Sequence, residues 1–137
     1  MGDTYHVHLD TVDPVPGLGP DQGWVGMTVQ FLIDNAKAGS THFVFGRARF
    51  APGPSAHQWH RHPGAEEFAL ITKGQGIALD GDNEIPVSVG DVVFHRKGAW
   101  HGFKNTSDTV EAEMIWGWAG ASSKEEAGYE LRHPPQA

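Results

Sequence analysis

Cysteine does not occur among the 137 residues. Its absence removes disulfides, thiolate metal sites and thiol nucleophiles together, and fits a reducing cytoplasm. Any transition metal must therefore sit on histidine and carboxylate. Basic residues are scarce: ten Lys plus Arg against seventeen Asp plus Glu leave a net charge of -7. Phosphate backbones and anionic lipid surfaces are repelled on average, so no nucleic acid and no membrane partner is expected. No apolar run approaches the ~20 residues of a membrane span. The first ten residues lack the basic start and apolar centre of a secretory signal, and His6 stands where a myristoylation signal needs Ser or Thr. A soluble, cytoplasmic protein with one domain and one core is expected.

What the chain does have is 39% hydrophobic residues, 18 Gly and 9 Pro. The apolar area suffices to offset chain entropy, and Gly and Pro between short apolar runs punctuate strands. Residues 1–22 hold Asp13-Pro14, Pro16-Gly17 and Gly19-Pro20, which cannot keep a ladder or a helix and read as an extended arm. Strands are expected at about 24–33, 42–50, 57–62, 67–72, 76–80, 84–89, 92–94, 99–104 and 109–118, the middle pair joined by the Asp80-Gly81-Asp82-Asn83 turn. In the last strand Val110, Ala112, Met114, Trp116 and Trp118 share a face opposite Glu111 and Glu113. Ser122-Ser123-Lys124-Glu125 matches a capping box and starts a short C-terminal helix in the tail, 119–137. So many short strands without a crossover helix predict an all-β antiparallel sandwich or barrel over 23–118.

The strongest chemical signal is His60, His62 and Glu67. Residues two apart on a strand face one side, so the two imidazoles stand roughly 7 Å apart at their Cα atoms, and Pro63-Gly64 lets Glu67 return to the same point. His101, three residues after Gly98, is the candidate fourth ligand. Three imidazoles and a carboxylate are costly to bury alone, whereas a divalent ion makes the cluster net positive and satisfies every lone pair.

These residues fall in a recognisable pattern. His60-Arg61-His62, four residues, Glu67, six residues and Gly74, followed by Gly90, five residues, Arg96-Lys97-Gly98, two residues, His101, three residues and Asn105, resemble the two motifs of the cupin superfamily. Arg96 replaces the usual proline of the second motif. The resemblance covers about residues 42–118 and is that of a small single-domain cupin. It implies a jelly-roll barrel, a double-stranded β-helix of antiparallel strands, holding one divalent ion (Fe, Mn, Ni, Cu or Zn) on His60, His62, Glu67 and His101.

Around this centre, His57 lies out of strand phase with His60 unless a bulge intervenes, and reads as surface or as an acid-base group. Gln58 shares the inward phase, and Phe103 shares that of His101. Met114, Trp116 and Trp118 are core or the wall of a pocket for an aromatic or polyketide-like substrate. His95 needs no function, and Arg47 and Arg49 are expected in solvent, although one of them inside would imply a carboxylate substrate. The leading reading is a dioxygenase acting on a small enol, phenol or diketone. A zinc isomerase, lyase or cyclase comes next, then a metal-containing small-ligand sensor. Arm and barrel edges suggest a homodimer.

Overall fold

The computed structural model describes residues 2–132. In chain order the strands are β1 (Trp24–Val25), β2 (Met27–Ile33), β3 (Phe43–Phe50), β4 (Ser55–Arg61), β5 (Glu66–Lys73), β6 (Gln75–Asp80), β7 (Asn83–Ser88), β8 (Val92–His95), β9 (His101–Asn105), β10 (Ala112–Ala119) and β11 (Glu130–Leu131). One-turn helices α1 (Asn35–Ala38) and α2 (Lys124–Ala127) and two 3-10 turns in the arm, Leu9–Thr11 and Pro20–Gln22, complete the set. Two antiparallel sheets face each other, one ordered β1-β4-β9-β6-β7 with β11 also on β4, the other β2-β3-β10-β5-β8. This is the jelly roll, with the cavity and core between the sheets. Inward residues alternate along β3, with Val44, Ala48 and Phe50, and along β5, with Ala69 and Ile71. Each fully buried Val, Ile or Phe contributes about 1.5–3 kcal/mol.

Several boundaries differ from the sequence reading for local reasons. The run 24–33 is cut at Gly26, whose φ of 62° turns the chain from one sheet to the other. β10 begins only at Ala112, and Val110 is exposed in the preceding loop. That loop is tied by buried Asn105, whose Nδ2 donates to the carbonyls of Phe50 and Val110. The helix cap is Ser123, which accepts from the Glu126 amide, one residue later than the expected box. β11, absent from the sequence reading, pairs Glu130 with Arg61 and Leu131 with His60.

The arm is held at defined points. Gln30 Nε2 donates to the carbonyls of Leu9 and Val12, at 2.8 and 2.7 Å, and the Val15 amide donates to Val29 on the free edge of β2. Arg47 is buried, not solvated: it lies on the outer face of its sheet, donating to Gln30 Oε1 at 2.6 Å, with Asp10 of the arm and Glu113 each 3.6 Å away. Arg49 is half-exposed on the same face, and neither arginine lines the cavity. Among the described residues no helix is long and apolar enough to cross a membrane.

Candidate metal centre

Strand alternation brings His60 and His62 to the cavity from β4 and its end, Glu67 from β5 and His101 from β9. One nitrogen or oxygen from each of the four lies within 4.8 Å of all the others. His62 Nε2 is 3.3 Å from Glu67 Oε1, and His101 Nε2 is 3.0 Å from Glu67 Oε2. The Trp118 indole N–H donates to Glu67 Oε1 at 2.7 Å, the same oxygen that His62 approaches, and so holds the carboxylate in place.

The backbone sets the tautomers. His60 Nδ1 donates to the Gln58 carbonyl, His62 Nδ1 to Gly128 and His101 Nδ1 to Ala99, at 2.7, 2.7 and 2.9 Å. Each Nε2 then carries a lone pair turned toward the cluster. Those of His60 and His101 are buried without a hydrogen-bond partner, since the short approach of His101 to Glu67 is not aligned for one. Lone pairs facing a carboxylate repel it unless a positive charge lies between them. The donor set therefore fits a divalent cation bound by four protein ligands.

The charges of the four groups act strongly on one another. Burial raises the Glu67 carboxyl, but His101 and His62 outweigh it and hold the group well below its ordinary range. Burial and then the neighbouring rings push His60 far down, while Glu67 overcomes burial at His101 and raises it.

Two more histidines stand behind the ligands. A register shift between His57 and His60 inserts a bulge into the β4–β9 pairing. The bulge puts His57 on the cavity side, its ring parallel to His60 with centroids 3.5 Å apart. It also removes Gln58 from the cavity wall, correcting the inward phase expected from simple alternation. His95 stacks on His101 at 4.1 Å and lines the cavity, where the sequence had given it no role. Burial lowers His57 to about 3 and His95 to about 4. Tyr129 was missed altogether. It donates to the Gln22 carbonyl at 2.6 Å, sits 3.3 Å from His57 Nε2, and is pushed up to about 12 by burial.

The cavity measures about 410 Å³. Phe103, Met114, Trp116 and Trp118 line it, joined by Trp24, Phe31 and Phe50 and by Val15, Pro16 and Leu18 of the arm. Apart from Glu67, the charged lining residues are Lys124 and Glu125, both exposed.

The family model described as a cupin domain matches residues 46–118, just over half of the chain. The chain belongs to the cupin family. Among curated proteins this cupin is 35% identical over 66 residues to the oxalate-binding protein of Thermotoga maritima, covering 48% of this chain and 54% of that one. It is 35% identical over 92 residues to Protein SchB of Streptomyces halstedii, covering 66% and 64%. The chain thus spans less than two thirds of the length of both relatives. The solved structure of the polyketide cyclase RemF from Streptomyces resistomycificus matches with a TM-score of 0.76 at 18% identity, covering 97% of this cupin and 88% of that chain, a likeness of fold.

Proposed function

We propose that this cupin is a metal-dependent enzyme whose substrate is a flat, largely apolar, oxygenated molecule of the enol, phenol or diketone class, bound by its oxygens at the His60, His62, Glu67 and His101 end of the cavity. The observation that carries this reading is the lining: aromatic and aliphatic walls around about 410 Å³, with the ligand cluster as the main polar group and no arginine. A small dianion such as oxalate, named for the Thermotoga relative, would leave most of those walls without contact and find no side-chain cation beyond the exposed Lys124, which stands beside Glu125. An aromatic ring would be held face and edge by Phe31, Trp116 and Trp118, which already pack edge-on or tilted to one another.

Of the two reaction classes, non-redox proton-transfer chemistry of the isomerase, lyase or polyketide-cyclase kind has the better support. A divalent ion, when bound, supplies Lewis acidity toward a chelated oxygen. The chain supplies a proton relay beside it. Tyr129 O–H donates to Gln22, so its oxygen accepts from His57 Nε2–H, which leaves the free lone pair of the pair on His57 Nδ1, a base weakened by burial. Val15, Pro16 and Leu18 of the arm and Tyr129 of the tail line the same cavity. Oxygenation is the second reading, favoured by a donor set of three imidazoles and one carboxylate that holds Fe(II) or Mn as readily as Zn.

The test uses protein loaded with Zn(II) or Fe(II) and 2-hydroxy-1,4-naphthoquinone as a chelating aromatic probe. A metal-dependent change in probe absorbance that oxalate does not reverse, with no oxygen uptake, is the expected result. Oxygen consumption by the Fe(II) form selects the second reading. Binding of oxalate but not of the probe overturns both, and tight probe binding without turnover of any enol, phenol or diketone tested leaves a sensor.

A further inference from the structure

The three ligand imidazoles are oriented by backbone carbonyls of two kinds. His60 and His101 each donate to the carbonyl two residues earlier, on Gln58 and Ala99, so their own stretches of chain set those rings. His62 donates instead to Gly128, 66 residues later, at 2.7 Å. It is also the one ligand of the four outside a strand, since β4 ends at Arg61 and β5 begins at Glu66. Gly128 belongs to the tail, beyond the residues 46–118 that the cupin domain matches.

The tail is fitted to His62 from both sides. Gly128 has φ 76° and ψ 165°, a combination essentially restricted to glycine, and a Cβ there would stand 3.1 Å from Pro63 Cδ. The Gly64 amide donates to the Ala127 carbonyl at 2.8 Å, and a Cβ on Gly64 would collide with the Glu126 carbonyl oxygen. Further on, Glu130 and Leu131 pair with Arg61 and His60, and the Arg132 amide donates to the Trp59 carbonyl. The tail thus grips the chain before and after His62.

We propose, on the basis of the four-ligand metal centre above, that residues 123–132 are part of that centre, with Gly128 as a positioning residue, so that docking of the tail and binding of the cation strengthen each other. The Gly128 carbonyl keeps the His62 proton on Nδ1 and leaves Nε2 with a free lone pair. With the tail undocked, the proton is free to move to Nε2, which lies 3.3 Å from Glu67 Oε1 and would then donate to it. That pairing ties up two of the four ligands. The effect is reciprocal by linkage: the factor by which the docked tail tightens the cation is the factor by which the cation tightens the docked tail.

Zinc affinity of the full chain, measured by competition with a chromophoric chelator, tests the coupling. Gly128→Ala, which cannot hold the required backbone angles, and Gly64→Ala, whose methyl displaces the tail from a position without positive φ, should each weaken zinc by about 10–100-fold. Arg132→Ala removes an exposed pairing with Asp82 and should leave the affinity within about twofold. Cobalt(II) in place of zinc reports the ligands directly, and both glycine variants should show altered d–d bands, which a weaker fold alone does not produce. In the wild type, zinc should slow hydrogen exchange at the Gly64 and Arg132 amides by about 10–100-fold and leave Gly53, bonded to Ser107 in a loop without ligands, unchanged. Wild-type affinity and cobalt spectra in both glycine variants, or equal slowing at Gly53 and the tail contacts, overturns the proposal. A wild type that binds no zinc overturns the metal centre itself, and the proposal with it.

Discussion

Two carboxylates are withdrawn from solvent in the same sheet, and they are kept there by different company. Glu113 on β10, 9% exposed at its side chain, faces outward into permanent charge: Arg49 Nε donates to its Oε2, Arg47 and Lys73 lie within 4 Å, and Thr72 donates to its Oε1. Glu67 on β5, 15% exposed, faces inward and has no arginine or lysine within 4 Å. It meets two imidazole nitrogens and an indole N–H. A buried carboxylate needs a positive partner. Glu113 carries its own within the chain, so it is structural. Glu67 is surrounded by groups without permanent charge, and a cation among them would partner the carboxylate and the imidazole nitrogens at once.

The sharpest way to break this contrast is to remove the lone pairs that face Glu67. His60→Ala and His101→Ala should each abolish stoichiometric metal binding, a loss of several orders of magnitude in affinity read by elemental analysis after dialysis. His57→Ala should keep full occupancy, since that ring stacks behind a ligand and supplies no nitrogen to the cluster. Full occupancy in both ligand variants would show that the four groups do not share an ion.

Paired substitutions separate the carboxylates themselves. Glu67→Gln should eliminate the rise in melting temperature that added Zn(II) produces, because binding to the folded state is the source of that rise. Glu113→Gln should keep the rise but start from a fold weaker by about 1–3 kcal/mol at neutral pH. The pH dependence follows from the direction of the shift. Burial works to raise Glu113, but Thr72, Arg49, Lys73 and Arg47 together hold it below its ordinary 4.5. The folded state thus binds this proton less readily than the unfolded chain. Its contribution is complete above about pH 4.5 and is lost as pH falls through the lowered value. Chemical denaturation of metal-free wild type and Glu113→Gln should show a stability gap at pH 7 that closes toward pH 3. A gap that widens on acidification would place the group in the wrong environment.

The histidines around Glu67 were legible in the sequence, while the charge cluster around Glu113 was not. His60 and His62 announce themselves because alternation on a strand is the simplest rule of side-chain direction, and the spacings to Glu67, Gly74, Gly90, His101 and Asn105 fall in one known pattern. The error at Gln58 and the ambiguity at His57 have one cause. A bulge between His57 and His60 adds a residue to one strand and reverses the phase before it, without any side-chain signature. Arg47 looked solvated because its burial comes from the arm, through Asp10 and Gln30, contacts that no local periodicity encodes. Tyr129 reaches the site because the two residues after it pair with β4, and so short a strand leaves no alternation to read. His95 sits in plain inward phase with Val93 on β8, and that alternation was the signal available for it.

The smallest expected effect concerns the indole that holds Glu67 in place. Trp118→Phe keeps most of the aromatic wall but deletes the N–H donated to Glu67 Oε1 at 2.7 Å. Partners that orient a ligand, without touching the ion, change affinity by roughly 10–100-fold, and a single neutral donor belongs at the lower end. Competition with a chromophoric chelator should show zinc affinity down about tenfold, with the fold and the stoichiometry intact. Trp116→Phe serves as the comparison, since its indole nitrogen makes no hydrogen bond to Glu67 or to any other described residue. Equal losses in the two variants would mean that the wall acts through packing alone, and the directed donor to Glu67 would have no part in shaping the site.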